Sequence, residues 1–313
     1  MNKKKYVNRN YLTTTRIIAL GFLITVIVGT ILLSLPIASA NGTWTDLLTA
    51  ASTTSVCVTG LVVVDTFSYW SLFGKGVILI LIQIGGLGIV SIITLFMLLF
   101  RMKITLKSTM LLQDAFNLNS KQGLLKFTIK VIKGTFLIEG IGAFIYSFYY
   151  CREYGLLKGI WFSVFHAVSA FCNAGLDIMG ADSLIPYHSN LLMMLNTSFL
   201  IIMGGIGFIV WWDTVEAFRR IRTKKCSIRS AWNGVHLQTK IAIFMTLLLL
   251  IGGTVVIYFL ERSNPDTLGN LSEKDRILNA FFQSVTLRTA GFAAVPQAAL
   301  RPVTAFFGAL LMM

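Results

Sequence analysis

The chain has 313 residues, of which 55% are hydrophobic and only 13% charged, and its mean hydropathy is +0.75. A soluble domain carries about twice this share of charged residues, so the composition excludes an ordinary soluble protein. Several uncharged stretches also reach membrane-spanning length, and Gly76–Phe100 is one of them. The sequence therefore predicts an all-α polytopic membrane protein embedded in a lipid bilayer.

The net charge of +14 is distributed unevenly along the chain. Nineteen of the 27 lysines and arginines lie in three segments, 1–16, 101–133 and 214–240, which hold few acidic residues. This alternation is the positive-inside pattern of membrane proteins. It predicts a cell-membrane protein with a cytoplasmic amino terminus and cytoplasmic linkers at 101–126 and 214–237. Orientation accounts for the charge, so no nucleic-acid partner is expected.

The first predicted unit covers residues 1–100. A spanning helix at Ile17–Ala38 is followed by an apolar stretch, Trp44–Val56, that is too short to cross a bilayer. The loop after it carries Gly60, and a second spanning helix follows from Gly76. The order is helix, half-helix, glycine loop, helix.

The second unit, residues 101–213, repeats this order. Its linker at 101–126 alternates basic and apolar residues, which fits either an amphipathic surface helix or a docking site for a cytoplasmic partner. The predicted elements after the linker are a helix at 127–150, a half-helix at Leu157–Phe171, the loop glycine Gly175 and a helix at 189–213.

The third unit, residues 214–313, has the same elements, but its second helix is incomplete. They are a helix at 239–260, a half-helix at Lys274–Leu287, the loop glycine Gly291 and the start of a second helix at 302–313. The repeated helix–pore loop–helix units are expected to surround a central ion pathway.

The three loop glycines are almost evenly spaced, with separations of 115 and 116 residues. One such glycine is ordinarily a helix C-cap, but three at this spacing favour a shared role. Non-helical backbone at membrane depth is tolerated where it lines a water-filled path, and carbonyl oxygens there replace the hydration shell of a monovalent cation. The predicted selectivity filter consists of the backbone of Val58, Thr59, Gly60, Asn173, Ala174, Gly175, Thr289, Ala290 and Gly291.

Four motifs carry a resemblance to a known family. They are TTSVCVTGL from Thr53, QIGGLG from Gln83, FHAVSAFCNAG from Phe165 and SVTLRTAGF from Ser284. The chain resembles the Trk/Ktr/HKT superfamily of potassium transporters, whose subunit carries four helix–pore loop–helix units. Only one helix precedes the first loop, which is more similar to the Ktr membrane subunit than to the longer Trk subunit.

The resemblance implies potassium uptake across the cell membrane, with the potassium ion as substrate and no bound cofactor. Ktr systems often depend on sodium, so sodium is a candidate second ion. The resemblance also implies a homodimer and, as partner, a cytoplasmic ring of nucleotide-binding regulatory subunits. It implies no enzymatic activity.

Family members carry a fourth unit, whose glycine is expected about 116 residues beyond Gly291. Three loops do not close a four-sided ring of carbonyls, so we expect residues 1–313 alone not to conduct potassium selectively. The alternative functions are a non-conducting fragment of such a transporter and, less favoured, a membrane-embedded enzyme. The sequence offers no nucleophile–base pair or metal-ligand set for the enzyme.

Arg288 lies one turn before Gly291 and is the most unusual residue of the loops. A cation facing the pore would repel the transported ion, so we expect Arg288 to brace the filter through an acidic or carbonyl partner. Cys57 and Cys172 stand at the same offset from their glycines. They are expected to be small packing residues, because two thiols alone make a poor metal site. Metal binding is expected only for potassium at the filter carbonyls.

Three other features remain open in the sequence. Glu139 lies within a spanning helix, where we expect a hydrogen bond to another helix rather than ion coordination. His166 lies in the second half-helix and is expected to pack with a hydrogen bond rather than to relay protons. The glycine clusters 85–88 and 204–207 fit either close helix packing or a bend below the filter.

Overall fold

The computed structural model describes residues 14–59, 64–88, 91, 124–180, 182–224 and 227–312. Over these residues the regular structure is helical, apart from one isolated bridge between Ser39 and Trp70. The α-helices are α1 (Thr14–Ser34), α2 (Leu47–Thr59), α3 (Thr66–Tyr69), α4 (Leu72–Leu87), α5 (Leu124–Tyr154), α6 (Leu156–Phe171), α7 (Leu191–Gly205), α8 (Phe208–Lys224), α9 (Ile228–Asn233), α10 (Leu237–Glu261), α11 (Glu273–Thr289) and α12 (Pro302–Met312). Short 3₁₀ or π turns lie at Pro36–Ala38, Ile185–Tyr187, Pro265–Gly269 and Gln297–Ala299.

The three predicted units have the same internal contacts. Helices α1, α2 and α4 pack pairwise in the first unit, α5, α6 and α7 in the second, and α10, α11 and α12 in the third. The contact between units repeats as well, because α4 packs on the half-helix α6 of the next unit and α7 packs on the half-helix α11. The sequence repeat is therefore a repeat of packing.

Helices α5 and α10 are distinctly longer than the half-helices. Helices α5 and α10 are long and apolar enough to cross a membrane, and α7 with α8 would be a third span if the bent pair is counted as one. The half-helices α6 and α11, with 16 and 17 residues, reach roughly 25 Å at 1.5 Å per residue. A hydrocarbon core of about 30 Å exceeds this length, as predicted from the sequence.

The second helix of the first unit differs from the prediction. It begins at Leu72, where the Ser71 hydroxyl accepts a hydrogen bond from the Gly74 amide, rather than at Gly76. It ends at Leu87, followed by Gly88 with φ of +76°. The predicted continuation to Phe100 falls mostly outside the described residues, as does the linker at 101–126.

The predicted helix at 189–213 is not one helix. Helices α7 and α8 meet at an angle of 101° across residues 206 and 207. Gly207 has φ of +94°, a conformation that costs an L-residue roughly 1–2 kcal/mol. The same cluster also allows close packing of α7 on the end of α6, since a Cβ on Gly204 would collide with the Phe171 carbonyl oxygen. The glycine cluster therefore serves both purposes left open by the sequence.

The predicted divisions between units at residues 100 and 213 stay predictions. The first lies outside the described residues. The second falls inside α8, which continues from Phe208 to Lys224 into the predicted cytoplasmic linker.

Side chains tie each unit together at the outer end, by which we mean the end opposite the basic linkers. In the first unit the Ser71 hydroxyl donates to the Ile37 carbonyl oxygen over 2.6 Å. In the second the Tyr187 hydroxyl donates to Glu153 Oε2 over 2.5 Å. In both cases the end of the first helix is joined to the segment that leads into the second helix.

In the third unit the hydrogen bonds at the outer end are made by Glu261, a fully buried carboxylate at the end of α10. Its Oε2 accepts hydrogen bonds from Asn264 Nδ2 (2.7 Å) and Thr267 Oγ1 (2.6 Å). Its Oε1 accepts from the Arg301 amide (2.9 Å) and Thr304 Oγ1 (2.5 Å) at the start of α12. Four donors compensate the desolvation of the charge.

Candidate functional site

The second glycine loop leaves the end of α6 in a tight turn. The Asn173 amide donates to the Ala170 carbonyl oxygen over 3.2 Å, and the Ala174 amide donates to the Ser169 carbonyl oxygen over 2.9 Å. Asn173 has φ of +54° and Gly175 has φ of +67°. These left-handed positions turn the chain out of the helix and into extended backbone.

The third loop has the same construction at the end of α11. The Ala290 and Gly291 amides both donate to the Thr286 carbonyl oxygen, over 2.9 and 3.3 Å. Gly291 has φ of +87°. Helix, cap and glycine thus recur in the two units that the structure describes through their loops.

A hydroxyl group from the last turn of each half-helix fixes the residue after the glycine. Ser169 Oγ donates to the Leu176 carbonyl oxygen over 2.5 Å. Thr286 Oγ1 donates to the Phe292 carbonyl oxygen over 2.8 Å. Both carbonyls are therefore engaged in the loop itself. The sequence analysis missed these two hydroxyls, although each lies in the last turn before its glycine.

The two loops lie backbone against backbone. A Cβ on Gly175 would collide with the Ala290 carbonyl oxygen, and a Cβ on Gly291 would lie 3.7 Å from the Gly175 Cα. Among the described residues, no donor bonds to the filter carbonyls of residues 173–175 or 289–291. Unpaired carbonyls at membrane depth require a polar partner, a role that water or a cation can fill.

The first loop is described only up to its start. The backbone of Val58 and Thr59 forms the end of α2, and Gly60 lies outside the described residues. The structure thus brings Gly175 into contact with Ala290 and Gly291, three of the nine predicted filter residues.

Behind the second loop, Glu139 of α5 joins two units. Gln83 Nε2 of α4 donates to Glu139 Oε1 and Oε2 over 3.1 and 3.2 Å. Cys172 Sγ lies 3.9 Å from Oε1, and a Cβ on Gly86 would collide with Cys172. The expected helix-to-helix hydrogen bond of Glu139 is confirmed, and Cys172 is a packing residue as predicted.

Arg288 occupies the corresponding position of the third loop. It is partly buried, and its guanidinium forms no hydrogen bond or ion pair with a described residue. A bracing role for Arg288 therefore requires a partner outside the described ranges.

His166 is fully buried in an aromatic cluster behind the loops. Its ring centroid lies 4.8 Å from those of Tyr146 and Phe292 and 6.2 Å from that of Tyr150. The expected packing role is confirmed. The expected hydrogen bond is not found within the described part of the chain, because neither ring nitrogen has a partner there.

Two carboxylates lie near the outer side of the loops. Burial is the main cause that raises the pKa of Asp177 to about 6, and the negative charge of Asp65 adds to it. Hydrogen bonds from the Ser183 side chain and the Met179 backbone oppose this shift. Asp65 itself caps α3, where it accepts from the Phe67 and Ser68 amides.

Comparisons with family models and with individual proteins indicate the same family. The family model described as "TrkH: Cation transport protein" matches residues 4–313. The potassium/sodium uptake protein NtpJ of Enterococcus hirae is 40% identical over 289 residues, which are 92% of this chain and 61% of that protein. The Ktr system potassium uptake protein B is 38% identical over 314 residues in Bacillus subtilis, covering 100% of this chain and 67% of the relative.

A solved structure shares the fold. The potassium transporter TrkH of Vibrio parahaemolyticus aligns with a TM-score of 0.62 and 15% identity, over 99% of this chain and 58% of that chain. The chain thus spans about three fifths of the length of these proteins. The membrane-embedded enzyme considered from the sequence is set aside, because the matched family and relatives are ion transporters. This chain belongs to the TrkH family of cation transport proteins.

Proposed function

We propose that the protein is the ion-translocating subunit of a Trk/Ktr-type potassium uptake system, with sodium as a second ion. The observation that carries the proposal is the pair of adjacent glycine loops with unpaired carbonyls. The names of the E. hirae and B. subtilis relatives, which are uptake proteins for potassium, support potassium as the ion taken up.

The chemistry proposed for the filter is exchange of hydration water for backbone oxygens. The Ala290 carbonyl oxygen lies against the Gly175 backbone, and the backbone of residues 58–60 would join these two loops by the repeat. The carboxyl ends of α6 and α11 point at the same region, and their partial negative charge favours a cation there. Carbonyls are weak-field ligands that suit potassium.

The proposed orientation has the amino terminus and the basic linkers in the cytoplasm. The charge distribution supports it, and the Ktr resemblance supports a homodimer and a cytoplasmic nucleotide-binding regulatory ring. Membrane-impermeant labelling of single cysteines introduced at Arg222 and at Lys158 tests the orientation. We expect labelling from outside only at Lys158→Cys, and the reverse result would contradict the proposal.

Uptake of a potassium tracer in a bacterial strain that lacks its own potassium uptake systems tests the function. The chain is expressed alone and together with the part of the E. hirae relative that the alignment leaves uncovered. We expect saturable potassium uptake in the second case and loss of it with Gly175→Ser. Uptake that is indifferent to this substitution, or equal for potassium and sodium in the unchanged protein, would refute the filter.

A further inference from the structure

An apolar cavity lies at the basic end of the second unit, away from the glycine loops. Its volume is about 390 Å³, and it opens between α5 and the bend that joins α7 to α8. The lining is formed mainly by Gly134, Leu137, Ile138, Trp211, Trp212 and Val215. This volume falls in the range of small-molecule sites, and the lining suits a hydrocarbon chain.

One polar side-chain atom of the lining residues has no hydrogen-bond partner among the described residues. The Thr214 hydroxyl donates to the Val210 carbonyl oxygen over 2.7 Å, and Trp211 Nε1 donates to the Met203 carbonyl oxygen over 2.8 Å. The indole nitrogen of Trp212, in contrast, is buried without a partner among the described residues. Tryptophan at a membrane interface commonly donates to a polar group at headgroup depth.

Two lysines of α5 lie one turn before residues that line this cavity. Lys130 lies one turn before Gly134 on α5, and its Nζ is 5.5 Å from the Trp212 ring centroid. Lys133 lies one turn before Leu137 and is exposed. Neither lysine forms an ion pair with a described residue. The nearby acids are already engaged, Asp213 with His236 over 2.8 Å and Glu216 with Arg220 over 3.6 Å.

Helix α8 extends the same surface across the end of the bundle. It leaves α7 at 101°, so α8 runs close to the membrane plane when α7 crosses the bilayer. Its exposed face combines Val215 and Phe218 with Arg219 and Arg222. Apolar and basic residues on one face are typical of a helix that lies at an anionic lipid surface.

We propose that the cavity binds one anionic phospholipid of the cytoplasmic leaflet. An acyl chain fills the space between α5 and the α7–α8 bend and packs on the Trp212 ring, and Lys130 and Lys133 bind the phosphate. The leaflet rests on the orientation proposed above. The binding itself goes beyond the transport function and is measured independently of it.

The test compares lipids of matched acyl chains on the purified, delipidated chain. Native mass spectrometry and thermal melting are recorded with phosphatidylglycerol, with phosphatidylcholine and with soluble glycerol 3-phosphate. Two basic contacts predict that phosphatidylglycerol binds on the order of ten- to thirtyfold more tightly than phosphatidylcholine. Equal binding of the two lipids, or equal protection by glycerol 3-phosphate, would overturn the proposal.

Matched variants separate headgroup from acyl chain. The double substitution Lys130→Gln and Lys133→Gln should remove the preference for phosphatidylglycerol, whereas Lys158→Gln at the other end of the bundle should keep it. Gly134→Leu fills the cavity and should weaken both lipids at least tenfold. Gly140→Leu enters open space on the same helix and should leave both unchanged.

Two further results would count against the site. Retained lipid binding in Gly134→Leu, with melting showing that the variant is folded, places the lipid elsewhere. A disulfide between two copies of Leu137→Cys in native membranes would mean that a second copy of the chain, not a lipid, covers the cavity.

Discussion

The second and third glycine loops have the same order of half-helix, cap and glycine but differ in what lies behind them. In both, a half-helix ends in a left-handed glycine, and a hydroxyl fixes the following carbonyl. At the third residue before the glycine, however, Cys172 is enclosed by Gly86 of the preceding unit and by Glu139. Arg288, at the same offset, has no described partner.

The difference shows which properties belong to a unit and which arise between units. The second and third units each contain the residues that form their own loop. The packing behind the loop comes from the second helix of a neighbour, as α4 does for the second loop. Loop conformation is therefore local, while loop support depends on assembly.

The strongest test of this view compares alanine at the two glycines. Gly175→Ala places a methyl group against the Ala290 carbonyl oxygen, whereas the same group on Gly291 has 3.7 Å to Gly175. Both alanine variants are also destabilised by roughly 1–2 kcal/mol, because both positions have a left-handed backbone conformation. We expect Gly175→Ala to abolish most rubidium uptake, and Gly291→Ala to lower it about tenfold.

These variants are made in a complete transporter that carries this sequence, with surface expression measured beside uptake. Gly140→Ala, which meets open space, is the control and should transport normally. Equal losses at Gly175 and Gly291 would contradict the geometry of adjacent loops.

The support between units is tested at Glu139. Glu139→Ala removes the acceptor of Gln83 Nε2 and should lower the free energy of unfolding by about 1–3 kcal/mol. Denaturation in detergent measures this. In a double-mutant cycle with Gln83→Ala, the two losses should not add. Full additivity would mean that the bond joining the units contributes nothing.

The support within a unit is tested at Thr286. Thr286→Val keeps the shape but removes the donor to the Phe292 carbonyl oxygen, a loss of about 1 kcal/mol. We expect the ratio of potassium to sodium uptake to fall about fivefold. Thr286→Ser retains the hydroxyl and should preserve the ratio. Unchanged selectivity in Thr286→Val would show that this hydrogen bond does not contribute to ion selection.

The smallest expected effect concerns Asp177, which only the second loop has. Its pKa is raised to about 6, so the carboxylate loses its charge as the outside pH falls through 6. Cation uptake should then fall up to about twofold, and Asp177→Asn should flatten this part of the pH profile. Since the pKa is higher folded than unfolded, the contribution of Asp177 to stability decreases as pH rises from about 4 to 6. An unchanged profile in the asparagine variant would refute the assignment.

The sequence predicted the half-helices well, because their lengths follow from composition and the repeat. Leu157–Phe171 and Lys274–Leu287 were expected, and α6 and α11 cover Leu156–Phe171 and Glu273–Thr289. A bend at the 204–207 cluster was one of two alternatives that the sequence left open, since a glycine in an apolar run suits a straight, closely packed helix equally well. That Gln83 is the partner of Glu139 depends on how two helices are rotated about their axes, which a single sequence does not encode visibly.

The outer ties have a consequence for how the molecule moves. Hydrogen bonds at Ser71, Glu153 and Glu261 join the outer end of each unit's first helix to its second helix or to the segment before it. At the opposite end, two second helices stop close to glycines with positive φ, Gly88 and Gly207. A hinge in a protein is commonly formed by a few residues at the ends of helices or in loops that absorb large changes in φ and ψ. Under the proposed function and orientation, we expect the entrance to keep its shape and the opposite end to change shape as an ion passes.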